Sequence, residues 1–419
     1  MTTLLETEAS GTSHDGVVRA GASSGYVLSS TFGDAGVVSF PSWTEVRRIL
    51  PLADGSVLVQ LERRDTGGYL LATGITKIRS DGMLDPTFAP GGSTPGVVDD
   101  GLSLWGALVP MSDGTFFVGS RRFLANGSVD TSYGVDGYVE LNGFMVSLSA
   151  TALVELSGER VVTVNRAAGF DDCYVFVIDA SGTLGPLTST GVLCDEAIPL
   201  RQPDGSTLVL VHEIGTGYHL LRLTPDGAVD TSFGMGGVVA VDPAIGITPR
   251  LIDAALTTDG GILVLQQGYS NQSSIAKIHS DGSLDHRFNG TGRTTVNGVA
   301  QGWTVDGNSN QLIGIGYTFE PPGAPYHPAL LHLGDSGQVD TSSNPAGVEP
   351  AWLGMTELGI NEPASLGPHA RRGDHVLVAL GLGVTGTSSR VAVIIQLTPT
   401  SSPVSSVTTG AEAARSRRT

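Results

Sequence analysis

Five aspartates recur in one setting. Asp85, Asp130, Asp230, Asp285 and Asp340 each close a Gly-x-Leu/Val-Asp step, as in Asp226-Gly227-Ala228-Val229-Asp230-Thr231-Ser232-Phe233-Gly234. Carboxylates repeated in equivalent places could form a ring of calcium or other cation sites. The spacing argues against it, because these loops lack the Asp-x-Asp-x-Asp-Gly ligand order of oxygen-rich calcium loops. In a tight loop an Asp side chain accepts backbone N–H bonds, and Gly supplies the positive φ. Turn chemistry is the expectation, with no metal and no cofactor.

Other reactive residue types sit in unfavourable settings. His212-Glu213 with His219 misses the His-Glu-x-x-His zinc spacing, since Thr216 occupies the second ligand position. His286 and His332 fall within a repeat frame, and His327, His369 and His375 lie near insertions. Gly21-Ala22-Ser23-Ser24-Gly25 spells a nucleophile elbow, with no strand before it and no helix after it. Gly381-Leu382-Gly383-Val384-Thr385-Gly386 spells a dinucleotide fingerprint, but a strand follows it and not a helix. Arg372-Gly373-Asp374 spells an adhesion tripeptide where a turn is due. No catalytic residue is assigned.

Composition narrows the partners. The formal charge of −18 disfavours nucleic acid, which needs a basic stripe, and disfavours an anionic membrane surface. No apolar run is long enough to span a bilayer. Met1 to Ala20 lacks the charged-then-apolar order of a secretory signal, so a cytoplasmic setting is the default expectation. The only lysines, Lys77 and Lys277, receive no role.

The aspartates belong to a repeat. Its aromatic slot falls at positions 32, 88, 133, 188, 233, 288 and 343, at intervals of 45, 55 or 56 residues. A worn copy, Ser181-Gly182-Thr183-Leu184, fills one gap, and Ser343 lacks the aromatic ring. A period of this length means a solenoid, propeller or array. Each repeat also carries an inner turn: Asp54-Gly55, Asp113-Gly114, Ser157-Gly158, Asp204-Gly205 and Asp259-Gly260, with weaker Asp306-Gly307 and Gly373-Asp374. Between the turns run short apolar strands with no helical period. The fifth repeat reads as Gly237 to Val241, Leu251 to Leu256, Ile262 to Leu265 and Ser274 to Ile278, with the first of these placed innermost. The expected fold is all-β, a seven-bladed β-propeller of four-stranded antiparallel blades. Residues 1–24 and 399–419 are expected to be disordered segments flanking a propeller over 25–398.

The pattern Asp-Gly-x-Leu/Val-Asp-Thr-Ser-Phe-Gly resembles the bacterial delta-60 repeat, a β-propeller repeat family. The resemblance covers about residues 25–398 and is sharpest around Phe88, Tyr133, Phe233 and Phe288. It implies a propeller, often within large surface or exported proteins. It carries no general activity, and no site residue is transferred.

Geometry supplies the binding expectation. Inner turns and Asp-Gly motifs share one face of a blade, and the two remaining loops share the other. Two insertions break the repeat on that second face, at Thr318 to Pro328 and at Thr356 to His369. Long loops on a rigid scaffold are where binding concentrates. Phe319, Tyr326 and His327 in the first, and Asn361, Glu362 and His369 in the second, are candidate contacts. Trp43, Trp303 and Trp352 follow closing glycines and are expected at the channel mouth, where Trp105 would join them. A monomeric, non-catalytic binding or scaffolding module for a protein or glycan is the reading. The alternative is a hydrolase or lyase with its site in the central channel, which would need carboxylates or His on innermost strands.

Two further expectations follow from this strand order. The chain ends should meet between the last and first blades without exchanging a strand. Cys173 and Cys194 should be free thiols, because rim and axis strands of a blade lie about 14 Å apart.

Overall fold

The computed structural model describes residues 26–90, 96–99, 108–139, 152–158, 160–166, 172–193, 196–213, 217–245, 250–267, 272–297, 302–305, 312–318, 327–334, 336–339, 348–350, 363–383 and 390–399. Two strands open it, β1 (Tyr26–Leu28) and β2 (Val37–Phe40). A four-stranded sheet follows: β3 (Glu45–Pro51), β4 (Val57–Arg64), β5 (Leu70–Ile78) and β6 (Val97–Asp99). A three-stranded sheet comes next: β7 (Leu108–Pro110), β8 (Phe116–Val118) and β9 (Arg121–Phe123). Then come β10 (Ala152–Glu155), β11 (Val161–Arg166), β12 (Asp172–Ile178) and β13 (Thr188–Leu193), and after them β14 (Glu196–Arg201), β15 (Thr207–Glu213), β16 (Gly217–Leu223) and β17 (Val238–Ala240). The next sheet holds β18 (Arg250–Leu256), β19 (Ile262–Gln267), β20 (Gln272–Ile278) and β21 (Arg293–Asn297). It is followed by β22 (Gly302–Val305), β23 (Leu312–Thr318), β24 (His327–Leu333) and β25 (Val348–Pro350). The last strands are β26 (Pro363–Arg372), β27 (His375–Gly383) and β28 (Arg390–Pro399).

The first strands of successive sheets lie side by side: β3 against β7, β10 against β14, then β18, β22 and β26. β26 returns to β3, so the sheets form a ring with these strands innermost. The fold is an all-β propeller with four-stranded antiparallel blades. Among the described residues six sheets are at least four strands wide, five with four strands and the closing one with five, not the expected seven. In the remaining sheet β8 and β9 are joined by Gly119 and Ser120 alone, and both strands are three residues long. Its fourth position shrinks, among the described residues, to the single bridge Arg121–Tyr138 beside the Val139 amide on the Ser120 carbonyl, 2.9 Å.

Middle strands read as continuous apolar runs because neighbouring sheets cover both of their faces. Leu208–Val211 of β15 and Val376–Leu380 of β27 are almost wholly buried. Innermost strands differ: β14 stays half-buried along most of its length, as a strand with one edge on an axial channel should.

The strand order corrects the sequence reading by one position. Val238–Ala240 pairs with Leu221 to His219 of β16, so the strand after the closing glycine is the outermost of its own blade. The motif itself forces this return. The Asp230 amide donates to the Arg222 carbonyl at 2.9 Å, and the Arg222 amide donates to the Gly237 carbonyl at 3.0 Å, folding the chain back on β16. Two other expectations fall with it. β2 pairs with Ala392–Ile395 of β28 and β1 with Leu397–Pro399, so an N-terminal strand does complete the C-terminal blade. Cys173 is disulfide-bonded, and Cys194 is the only other cysteine in the chain. Cys173 lies on β12, and Asp172 beside it faces Leu193, the residue before Cys194, so one strand spacing of about 4.8 Å replaces the expected 14 Å.

Adjacent repeats are latched at the motif. The residue after each aromatic donates its amide to the next Asp-Gly turn: Gly33 to Asp81 at 2.8 Å, Ala89 to Asn126 at 2.6 Å, Gly134 to Ser181 at 2.7 Å and Asn289 to Ser336 at 2.6 Å. Phe32, Phe88, Tyr133 and Phe288 are buried at these joints and plug the space between blades. The turn glycine must be bare there. A Cβ on Gly127 would lie 2.9 Å from the Phe88 ring, and one on Gly337 would lie 2.7 Å from Phe288.

Candidate functional site at the channel mouth

One face of the propeller is spent on structure. Asp85, Asp130, Asp230 and Asp285 each accept the amide two residues on, from Thr87, Ser132, Ser232 and Arg287, at 3.0 to 3.2 Å. The Thr87 hydroxyl holds the Asp85 carboxyl below the usual range, Ser232 does the same for Asp230, and the Arg287 side chain for Asp285. Asp340 lies outside the described residues.

A cation on the third strand ties these aspartates to the inner turns. Lys277 reaches Asp259 at 2.6 Å and Asp285 at 3.9 Å. Arg122 reaches Asp113 at 2.6 Å and Asp130 at 3.6 Å, and Arg222 reaches Asp230 at 2.8 Å. Lys77 meets Asp54 at 3.4 Å. The two lysines therefore hold equivalent places, each eight residues before its motif aspartate, which their scarcity had concealed. Arg122 and Arg222 also cover Tyr133 and Phe233, with centroid distances of 5.0 and 4.5 Å.

The opposite face carries the chemistry left over. With the strand order corrected, three innermost strands begin with Glu45, Glu196 and Arg250 at the end away from the inner turns, while β22 begins Gly302-Trp303. Glu45 faces Glu62, and Glu196 faces His212. Glu62 is buried between Arg47 at 2.9 Å and Arg64 at 2.5 Å. Glu45 bridges Arg64 at 3.4 Å and Arg390 of the closing blade at 3.3 Å. The Glu196 carboxylate lies 3.3 Å from His212 Nδ1 and accepts the Leu251 amide of the next blade at 2.9 Å. The His212 ring is wholly buried and stacks on Tyr218, centroids 4.8 Å apart. On the connection between β4 and β5, at the same end, Tyr69 stands 75 % exposed. Sequence reading passed over Glu45 and Glu196, and weighed His212 only against the zinc spacing, because the strands of the two glutamates had been placed one position further from the axis.

The nine candidate contacts are distributed unevenly. Trp43 is buried between the first and closing blades, its indole lying so close to Gly74 that a Cβ there would come within 2.4 Å, and Arg63 sits 5.7 Å from its ring. Trp303 lies on β22 and His369 on the neighbouring innermost strand β26. His327 begins β24 opposite Thr318. Phe319, Tyr326, Trp352, Asn361 and Glu362 lie outside the described residues, as does Trp105. Part of the second insertion is regular: β26 starts at Pro363 and pairs with β27 through two register shifts, where an irregular loop was expected. Arg372 of the Arg-Gly-Asp tripeptide is committed to the ring seam, donating to the carbonyls of Gly55 at 3.2 Å and Ser80 at 3.1 Å. Among the described residues no group of three or more His, Cys, Asp or Glu is arranged to hold a metal ion, and no helix is long and apolar enough to cross a membrane.

Ring, blades and latches define a β-propeller. The family described as "Domain of unknown function (DUF5122) beta-propeller" matches residues 202–233, the span from the inner turn of β14–β15 to Phe233. No curated protein matches the chain. Among solved structures it is similar to polysaccharide lyase Uly1, with 11 % identity, 88 % of this chain and 91 % of that chain covered, and a TM-score of 0.47. It is also similar to the PQQ-bound aldose sugar dehydrogenase from Streptomyces coelicolor, with 13 % identity, coverage of 86 % and 98 %, and a TM-score of 0.41. A protein of unknown function from Dyadobacter fermentans gives 13 % identity, 87 % and 100 %, and 0.43.

Proposed function

We propose that the protein is a non-catalytic, monomeric binding or scaffolding module that presents its channel mouth and the long connections around it to a protein or glycan partner. The observation that carries this reading is the state of the carboxylates at the mouth. Glu62 is clamped by two guanidinium groups, Glu45 by two more contacts, and Glu196 by an amide of the next blade. A general acid or base must be at liberty to exchange a proton with substrate, whereas Glu62 ties β3 to β4 within its blade and Glu45 and Glu196 tie neighbouring blades together. The Asp-Gly repeat supports kinship with the delta-60 repeat, and the Cys173 disulfide suits an oxidising compartment, hence a surface or secreted setting. The test compares the full chain with a variant whose residues 319–326 are replaced by a Gly-Ser segment of equal length, on glycan arrays and against candidate surface proteins. A partner held by the parent and weakened at least tenfold in the variant is the expected result. Equal binding by both proteins removes this face from the reading.

One observation favours a second reading, a hydrolase or lyase acting in the channel. The Glu196 carboxylate lies 3.3 Å from His212 Nδ1 at the mouth without a hydrogen bond to it, and a small turn of the ring would make the carboxylate–imidazole pairing that orients a general base. Turnover of a polysaccharide panel, lost in both Glu196→Gln and His212→Gln while melting temperatures hold, would establish it. No turnover by the parent protein is the outcome expected of a module.

A further inference from the structure

We propose that the disulfide of Cys173 with Cys194 makes one joint of the ring, between the third blade (β10–β13) and the fourth (β14–β17), sensitive to redox state. The crosslink stands there in place of the aromatic plug and amide latch found at other joints, and its reduction lets that joint open.

Four joints carry the amide latch described above, and the fourth and fifth blades share a variant of it, the Asp242 amide donating to the Gly282 carbonyl at 3.0 Å. The third and fourth blades share neither form. In the worn motif copy Gly185 stands where five copies have aspartate, and Thr188 stands in the aromatic slot. Residues 172–193 and 217–245 are all described, and among them no amide of the third blade donates to the turn at Asp226-Gly227. That turn packs on aliphatic side chains instead, a Cβ on Gly227 coming within 2.7 Å of Leu156 and 2.9 Å of Val177. Arg160 meets Asp226 at 3.4 Å, but the Asp226 side chain is 83 % exposed and such a pair holds weakly. Nearer the axis Arg201 donates to the Glu155 carbonyl.

The crosslink falls at this joint. Cys173 is wholly buried in an apolar cluster that the two blades share, with Val164 and Val175 of its own blade and Val209 and Val211 of the fourth. Strand β13 is otherwise thinly held. It meets β12 at Thr188, Ser189 and Leu193, residues 190–192 stand against the single Cys173, and most of its side chains are exposed. Cys194 follows Leu193 directly, and two residues further on Glu196 opens β14. The Glu196 carboxylate in turn accepts the Leu251 amide of the fifth blade at 2.9 Å. A bond from Cys173 to Cys194 therefore fixes the crossing from rim to axis, and with it the residue that ties the fourth blade to the fifth. A dithiol that gives up two electrons and two protons, closing to its own disulfide, converts the bond to two thiols. The crossing then hangs on three strand pairings. The ring is closed at every blade in an oxidising compartment and loose at one joint in a reducing one.

The experiment is hydrogen exchange of the full chain followed by mass spectrometry, at times too short for global unfolding, with and without dithiothreitol, on the parent and on the double variant Cys173→Ala, Cys194→Ala. Reduction should speed exchange at least tenfold in peptides covering 172–193 and at the Leu251 amide, and leave β4 and β5 of the first blade unchanged. The double variant should exchange like the reduced parent whether or not dithiothreitol is present. Should the double variant fail to fold, the reductant arm on the parent decides, with thermolysin cleavage within 187–193 appearing only after reduction as its second readout. No acceleration in 172–193, an equal acceleration in the first blade, or a double variant that exchanges like the oxidised parent overturns the proposal. Partner binding through residues 319–326 is measured separately, so this inference and the function proposed above fail independently.

Discussion

Each Asp-Gly turn asks two things of its glycine, and two positions separate them. Gly260 has φ +80 and open space where a Cβ would go, while Gly127 has φ +81 and the Phe88 ring at 2.9 Å. Gly260→Ala should cost about 1 kcal/mol, the strain of a left-handed alanine. Gly127→Ala should cost about 2–4 kcal/mol, because overpacking at the latch is added. Urea denaturation of both variants checks this, and equal losses would mean that Phe88 moves aside freely. The aspartates make a second prediction. Lys277, with Thr257, holds the Asp259 carboxyl far below the usual range. A carboxyl whose folded pKa is depressed stabilises above its unfolded value of about 3.9, and that stabilisation drains away as pH falls through and below it. Melting temperature should therefore fall between about pH 5 and pH 3, less steeply in Asp259→Asn. Parallel profiles would show that the Lys277 contact contributes nothing. Of these residue roles the turn aspartates were legible, since Asp-Gly dictates its own geometry. The cations were not, because the link from Lys277 to Asp259 joins two different hairpins and shows only once strands are paired.

Strands are easy to find in this chain and hard to assign to blades. Leu208–Val211 or Val376–Leu380 can only be covered on both faces, and the sequence says so. Val238–Ala240 could as well begin the next sheet as end its own, because three β-branched or small residues carry no phase. Hydrogen bonds within the motif settle it. The same slip hid Glu45 and Glu196 from the search for channel residues and separated the cysteines on paper. Thiol titration of unreduced, denatured protein is now expected to find no free thiol, and two free thiols would show that the crosslink does not form. Reduction should lower stability by about 3 kcal/mol, the loop-closure value for a 173–194 crosslink. Denaturant melts with and without reductant measure it.

The molecule as a whole is a ring with one seam. β1 and β2 lie on β28, Trp43 fills the space between the first and closing blades, and Arg372 bridges them while covering Phe32 at 5.0 Å. Removing residues 1–40 should leave the β28 edge unpaired, so that the protein self-associates and loses its single sharp unfolding transition. Size-exclusion chromatography and calorimetry test this, and a monomer that melts like the parent would show the seam to be ornamental. The ring was legible from the repeat period, whereas the blade count was not, since β8 and β9 shrink without disturbing the motif. The seam also sets a clock. During synthesis β2 emerges 353 residues before β28 begins, which at roughly 5–20 residues per second is about 20 to 70 s. Throughout that interval Val37–Phe40 has no strand to join, while the blades behind it can pack one after another. β28 is thus the strand that converts an open, growing stack into a closed circle, and a nascent chain stalled short of Arg390 stays open however well its finished blades have folded.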